Sequence, residues 1–213
     1  MRISWIGHAC FLMDARDARI LTDPFNEDVP YAFPDTPVDI VTVSHSHFDH
    51  NAVHRVPGEH AIIDAVGEID IHGVPIRGIA SFHDDQEGSE RGANTIYLLE
   101  IEGIAVAHLG DLGAPLDEEQ RTAIAETEIL LVPVGGHFTI DAAQAAEIAT
   151  SLPKLRVVIP MHFKTDIIAD WPIETVEPFA TIMDNVRHVG ASIVEVTRES
   201  LPERQEVWIL DHA

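Results

Sequence analysis

Along the chain, apolar positions first alternate with polar ones and later gather into short continuous runs. "RISWIG", "CFLMDA" and "ARILTD" near the start are short, partly alternating and separated by turn residues, so each predicts a strand with one face on a core. "DPFNEDVPYAFPDTP" comes next and is too rich in proline for regular structure. "VDIVTV", residues 38–43, is β-branched and almost wholly apolar, which predicts a strand covered on both faces. Further strands are expected over 61–64, 74–82, 94–101 and 104–108.

The second half alternates strand and helix. "PLDEEQRTAIAET" combines a helical apolar spacing with Asp117 as an N-cap, and "EILLVPV" after it reads as a buried strand. "TIDAAQAAEIATSL" predicts a helix capped by Thr139 or Asp141, and "LRVVIPMHF" another buried strand. A helix over 174–188 and strands over 191–197 and 206–210 complete the expectation. No linker, repeat or low-complexity stretch interrupts the 213 residues. The pattern therefore predicts one α/β domain over 1–213, built as a layered sandwich.

Charge narrows the range of partners. The formal net charge is −23, and of the 13 basic residues only Lys154 and Lys164 are lysines. Such a field repels phosphate backbones, so no nucleic-acid partner is expected. No apolar run approaches the ~18 residues of a membrane span, and "MRISWIGHACFLMD" lacks the apolar stretch of a signal peptide. The single cysteine, Cys10, suits a reducing compartment. A cytoplasmic protein without a membrane partner is the expectation.

Chemistry concentrates at the end of the apolar strand. "VSHSHFDHNA", residues 43–52, places His45, His47, Asp49 and His50 within six positions. Side chains two apart in an extended segment point the same way, so His45 and His47 can reach one ion together. Neutral imidazoles and carboxylates are ligands that zinc, iron and manganese accept. Four ligands in six residues are too many for one open catalytic ion. They predict two neighbouring ions, with His45 and His47 on the first and Asp49 and His50 on the second.

"GHACFLM…ILTDPF", "HSHFDH", "RGANTIYL", "HLGDLG", "VPVGGHFTID" and "VIPMHF" follow one another over about residues 3–165. In this order they resemble the stand-alone metal-dependent hydrolases of the metallo-β-lactamase superfamily, in particular the branch that includes ascorbate-6-phosphate lactonase-like proteins. The resemblance implies an αββα four-layer sandwich with metals at one edge of two facing sheets. It implies Asp111 as the carboxylate bridging two ions and His162 as a ligand of the second. It also implies a third histidine on the first ion, for which His83 and His108 compete. Residues three apart in a strand face opposite sides, so His108 should point away from the ion that Asp111 reaches, and His83 is preferred. His8 and Asp23 fall in matching motifs and would orient ligands by hydrogen bonds, although Asp23 could equally cap a turn. His137 would protonate a leaving group or touch substrate, or is a plain loop histidine. Trp5, Phe48 and Phe138 would pack around the site.

The activity implied is hydrolysis by a hydroxide held between two divalent ions, zinc by expectation, with manganese or iron as alternatives. Asp49 and Asp111 would serve that reaction. The substrate would be a small, anionic ester, lactone or phosphodiester. A second class keeps the fold but runs iron-dependent redox or sensing chemistry, usually with an added flavin domain, and a third only binds metal. Homo-oligomers are compatible with the sequence.

Overall fold

The computed structural model describes all residues, 1–213. The early strands β1 (Arg2–Gly7), β2 (Cys10–Asp14), β3 (Arg19–Thr22), β4 (Ile40–Thr42) and β5 (Ala61–Ile63) join β13 (Ile193–Glu195) in a six-stranded sheet. Its order is β13-β1-β2-β3-β4-β5. A second sheet contains β6 (Gly67–Ile71), β7 (Val74–Phe82), β8 (Ala93–Ile101), β9 (Ile104–His108), β10 (Ile129–Pro133), β11 (Val157–Met161), β12 (Val186–His188) and β14 (Glu206–Ile209). Its eight strands run in the order β12-β14-β11-β10-β9-β8-β7-β6.

The period of two decides what each face meets. Phe11 and Met13 of β2 enter a core of 49 buried residues shared by both sheets, whereas Cys10 on the opposite face joins a separate cluster of 12. The continuous apolar runs became the parallel strands β10 and β11, buried at every position. Tyr97 of β8 is fully buried in the shared core, and its hydroxyl lies 3.0 Å from the carbonyls of both Val43 and Ile63, which ties the two sheets together.

Helix α1 (Glu118–Ala123) packs on β7, α2 (Ala142–Ser151) on β10, and α3 (Glu177–Ile182) on α2, so all three cover the eight-stranded sheet. Asp117 and Asp141 each close a capping box with the glutamine three residues on, Gln120 and Gln144. The outer face of the six-stranded sheet is covered differently. Phe25, Val29 and Tyr31 of the proline-rich segment, together with Ile168 and Ile173, pack on Cys10, Leu21 and Val41. The αββα plan is therefore kept, with its fourth layer reduced to loops and one 3-10 turn at Val53–Arg55.

Two segments depart from the sequence pattern. The helix expected over 174–188 ends at Ile182, because Met183 is extended and Asn185 takes φ 53°. Residues 186–188 then pair with β14 as an edge strand, where sheet hydrogen bonds outweigh helical propensity. No strand was expected over Gly67–Ile71, yet this largely exposed stretch forms a hairpin with β7 through a His72–Gly73 turn at positive φ.

Candidate metal centre

Strand direction brings the chemistry to one rim. His8 follows β1, Asp23 follows β3, His45–His50 follow β4, His83 follows β7, Asp111 follows β9 and His162 follows β11. Within each sheet these strands share a direction, so their carboxyl ends open together, where α/β folds bind ligands. Three of the residues sit in the left-handed region, with φ 55° at His8, 42° at Asp23 and 51° at His162. For non-glycine residues this costs about 1–3 kcal/mol each and persists only where the surroundings enforce it. Here the Trp5 indole donates to the His8 carbonyl at 3.0 Å, and the His162 amide donates to the same carbonyl at 3.1 Å. The Asp23 amide donates to Thr42 O at 2.8 Å.

The segment 44–50 is not extended. β4 stops at Thr42, and the chain turns so that the His50 amide donates to His47 O at 3.0 Å. Convergence therefore comes from a turn and not from strand alternation. His45 Nε2 and His47 Nδ1 lie 3.0 Å apart, and the His50 ring folds back to 4.2 Å from that of His45.

Three groups of potential ligand atoms lie close enough to share an ion: His45, His47 and His83; His45, His50 and Asp111; and His8, His50 and His162. Asp111 Oδ2 stands 3.2 Å from the Nε2 atoms of His50, His83 and His162 alike. Asp49 Oδ2 accepts a hydrogen bond from His8 Nε2 at 3.1 Å and lies 3.9 Å from His50 Nε2. Asp111 Oδ1, Asp49 Oδ1 and His50 Nε2 are buried without any hydrogen-bond partner. Buried polar atoms in a folded protein are normally satisfied. A divalent cation would satisfy these three, so the residues fit a metal centre.

His83 and His108 separate clearly. Both ring nitrogens of His108 are engaged by backbone: Nε2–H donates to Ala9 O at 2.8 Å, and Nδ1 accepts from the Gly110 amide at 3.2 Å. His83 instead presents Nε2 to Asp111 and groups with His45 and His47.

Side chains behind the ligands set their tautomers. Fully buried Asp23 accepts from the Ser44 amide at 2.7 Å, from Ser44 Oγ at 2.6 Å and from His50 Nδ1 at 2.8 Å. That fixes the His50 proton on Nδ1 and leaves Nε2 facing Asp111. Ser44 Oγ, having donated to Asp23, accepts from His45 Nδ1 at 3.0 Å and frees His45 Nε2. Asn94 takes the Asp111 amide on Oδ1 at 3.0 Å and donates to Ser81 Oγ and Leu109 O. Glycines give the loops room: a Cβ at Gly113 would lie 2.2 Å from the His83 backbone, and one at Gly135 would lie 2.1 Å from His162 O.

Burial, reinforced by His162, pushes His8 down to about 4. Burial and then His50 push His45 down to about 3. Burial opposes a charge on His50, but Asp111 and Asp23 hold its proton well above the usual histidine range. Burial likewise opposes ionisation of Asp111, and His162 and His50 outweigh it, keeping the carboxyl far below its ordinary value. Asp49 is also lowered, through His8 and His50. Neutral His45 beside ionised Asp49 and Asp111 is the state that metal binding requires, whereas His50 gives up its Nε2 proton to an incoming cation.

A cleft of about 800 Å³ opens over His47, Asp49, His83, Asp111 and His162. Its walls carry Phe48, Phe138, Trp171 and Arg91. Trp5, by contrast, is buried beneath the site and packs against Phe163 with ring centres 4.9 Å apart and planes tilted by 34°. For His137 the sequence leaves a role at the leaving group and a plain loop histidine open, and the structure favours the second. It is exposed, lies outside the cleft lining and makes no hydrogen bond to the ligands, its ring resting on Phe138 at 4.4 Å. The cause is local: His137 takes φ 59° and the Phe138 amide donates to Gly136 O at 2.7 Å, a tight turn that swings Phe138 to the cleft instead. Sequence reasoning also missed Ser44, Asn94, Arg91 and Trp171. "RGANTIYL" was a signal for two of these, Arg91 and Asn94.

Comparison with known proteins agrees with this geometry. The model of the Beta-lactamase superfamily domain matches residues 2–162. A metal-dependent hydrolase of Thermoplasma volcanium is 30% identical, over 81% of this chain and 88% of its own. One from Carboxydothermus hydrogenoformans is 29% identical, over 91% of this chain and 95% of its own. The crystal structure of a candidate Zn-dependent hydrolase of the metallo-β-lactamase superfamily from Thermotoga maritima is 38% identical. It superposes with a TM-score of 0.83 and covers 98% of this chain and 97% of that one. No helix is long and apolar enough to cross a membrane. Fold, rim and sequence together place the chain in the metallo-β-lactamase superfamily, among its metal-dependent hydrolases.

Proposed function

We propose that the centre holds two divalent ions and cleaves an ester, lactone or phosphodiester bond in a small anionic substrate. Asp111 carries this reading: one carboxylate oxygen lies 3.2 Å from three imidazole nitrogens of three different loops, and the other has no partner. A carboxylate so placed fits a bridge between neighbouring cations. His45, His47 and His83 would hold one, and Asp49, His50 and His162 the other. Zinc suits this mixture of imidazole and carboxylate, and manganese and iron accept it as well.

When bound, such a pair supplies a water acidified to near neutral pH as nucleophile and polarises the carbonyl or phosphoryl oxygen under attack. The chain supplies orientation. His8 anchors Asp49 through Oδ2, which leaves Oδ1 turned to the ion that this carboxylate would hold. Asp23 holds the imidazole of His50 in the tautomer that faces the centre. Two divalent ions against ionised Asp49, Asp111 and Asp23 leave a centre of about +1 before any hydroxide forms, in a protein of formal charge −23, so small anions are drawn there.

The test strips the protein with chelator, reloads it with zinc or manganese, and screens lactones, phosphodiesters and thioesters. Turnover should vanish on stripping, return on reloading and favour anionic substrates. Turnover confined to neutral esters or amides, or indifferent to chelation, contradicts the proposal.

A further inference from the structure

The candidate ligands form only the floor of the cleft. Among the other lining side chains one is cationic, Arg91. It stands on the segment between β7 and β8, which begins with His83. That segment is wound around a single carboxylate. Asp84 accepts the backbone amides of Gln86 at 2.9 Å, Gly88 at 2.8 Å, Glu90 at 3.0 Å and Arg91 at 2.7 Å. Desolvation works against the ionised Asp84, but these four donors outweigh it and pull the carboxyl down to about 2. The residue next to a candidate metal ligand thus fixes the backbone from which Arg91 projects.

The guanidinium has donors to spare. It lies 5.8 Å over the Phe138 ring and 3.8 Å from a carboxylate oxygen of Glu90. The Glu90 side chain is 61% exposed, and an ion pair that open to water is worth little. The Arg91 side chain donates no hydrogen bond within the protein. Charge is also distributed unevenly around the cleft. Asp28 and Asp170 line it from loops packed over the six-stranded sheet, whereas Arg91 belongs to the other sheet. An entering anion is repelled from the first side and drawn to the second. Phe48, 54% exposed, and Trp171 add flat apolar surface between.

We propose that Arg91 is a specificity determinant, binding an anionic group, carboxylate or phosphate, that the substrate carries apart from the bond cleaved over the metal ligands. The substrate's apolar or ring-shaped body lies against Phe48 and Trp171. This rests on the hydrolase reading of the cleft and adds to it a substrate with two handles. Arginine suits the task because its planar fork pairs with two oxygens at once.

The experiment uses metal-loaded full-length protein and two ligands that cannot be hydrolysed, 3-phenylpropionate and its neutral analogue 4-phenyl-2-butanone. Binding is measured by calorimetry for wild type, Arg91→Met and Arg91→Lys. Wild type should prefer the carboxylate. Arg91→Met should reduce that preference about tenfold, the cost of one hydrogen-bonded charge contact. Arg91→Lys should fall between, and covers the case in which removing the cation disturbs the 83–92 segment. An unchanged preference in Arg91→Met would mean that the carboxylate binds elsewhere, and it overturns the proposal. Absence of any preference in wild type overturns it too. Because neither probe is cleaved, either failure leaves the hydrolase reading standing, and loss of that reading does not decide the binding result.

Discussion

Asp111→Asn is expected to abolish hydrolysis and lower the metal content of the protein while leaving the fold intact. The substitution keeps the shape of the side chain but replaces one carboxylate oxygen with an amide that donates. That amide would face the nitrogens of His50, His83 and His162, which converge on Oδ2 from 3.2 Å. It cannot balance a cation or bridge two of them. Substitutions one layer behind a metal ligand cost about 10–100-fold in affinity or activity, so removing the shared carboxylate should exceed that range. The backbone around residue 111 is held independently, by Asn94 on the Asp111 amide and by the Gly113 amide donating to Phe82 O. Circular dichroism should therefore stay near wild type, while the melting temperature falls with the lost buried charge pair and the lost metal. Retained turnover with full metal content would remove Asp111 from its place in the account.

The second large effect is expected at Asp23, where orientation of a ligand and capping of a turn predict different results. Asp23→Ala strands three buried donors: the Ser44 amide, the Ser44 hydroxyl and His50 Nδ1. Breaking a buried charged pair costs about 3–5 kcal/mol, which at about 2–4 °C per kcal/mol corresponds to a fall in Tm on the order of 10 °C. Asp23→Asn discriminates. Its carbonyl can still accept from the Ser44 amide, so stability partly returns. Its amide group, however, meets the Nδ1–H of His50 and favours another ring orientation, so metal affinity should stay about 10–100-fold low. Thermal melts and metal titrations on both variants read the two effects separately. Recovery of both by Asn would reduce Asp23 to a turn cap.

What the sequence reveals depends on how unusual each residue is in its context. His45, His47, Asp49 and His50 stand out as candidate ligands because six residues rarely hold so many chelating groups; the structure groups His45, His47 and His50 with His83 and Asp111, while Asp49 falls in none of these groups and lies 3.9 Å from His50 Nε2. The route differs: alternation along a strand predicts the convergence, and a turn closed by the His50 amide produces it. Asp111, His162 and His83 lie far apart in the chain, and only the order of motifs pointed to them. For His108 against His83, strand geometry does not apply, since β9 ends at His108 and Asp111 lies in the turn beyond it; His108 is instead occupied by Ala9 O and the Gly110 amide. Ser44 and Asn94 escaped notice since serine and asparagine are ordinary at strand ends, and their value lies in partners distant in sequence. His137 stays open in the sequence for the opposite reason: a histidine beside glycines looks chemical, and nothing local shows that Phe138 takes the inward position. In the fold, long apolar runs such as "EILLVPV" were unambiguous. The loop layer over the six-stranded sheet was not, because proline-rich chain carries no periodicity that shows which face it covers.

The most direct measurement is anomalous diffraction from crystals of the zinc-loaded protein, recorded on both sides of the zinc absorption edge. The account predicts two peaks per chain: one against the imidazoles of His45, His47 and His83, and the other against Asp49, His50 and His162. The Asp111 carboxylate should touch both. Anomalous density lying away from this rim, or none in protein shown to carry zinc in solution, would contradict it.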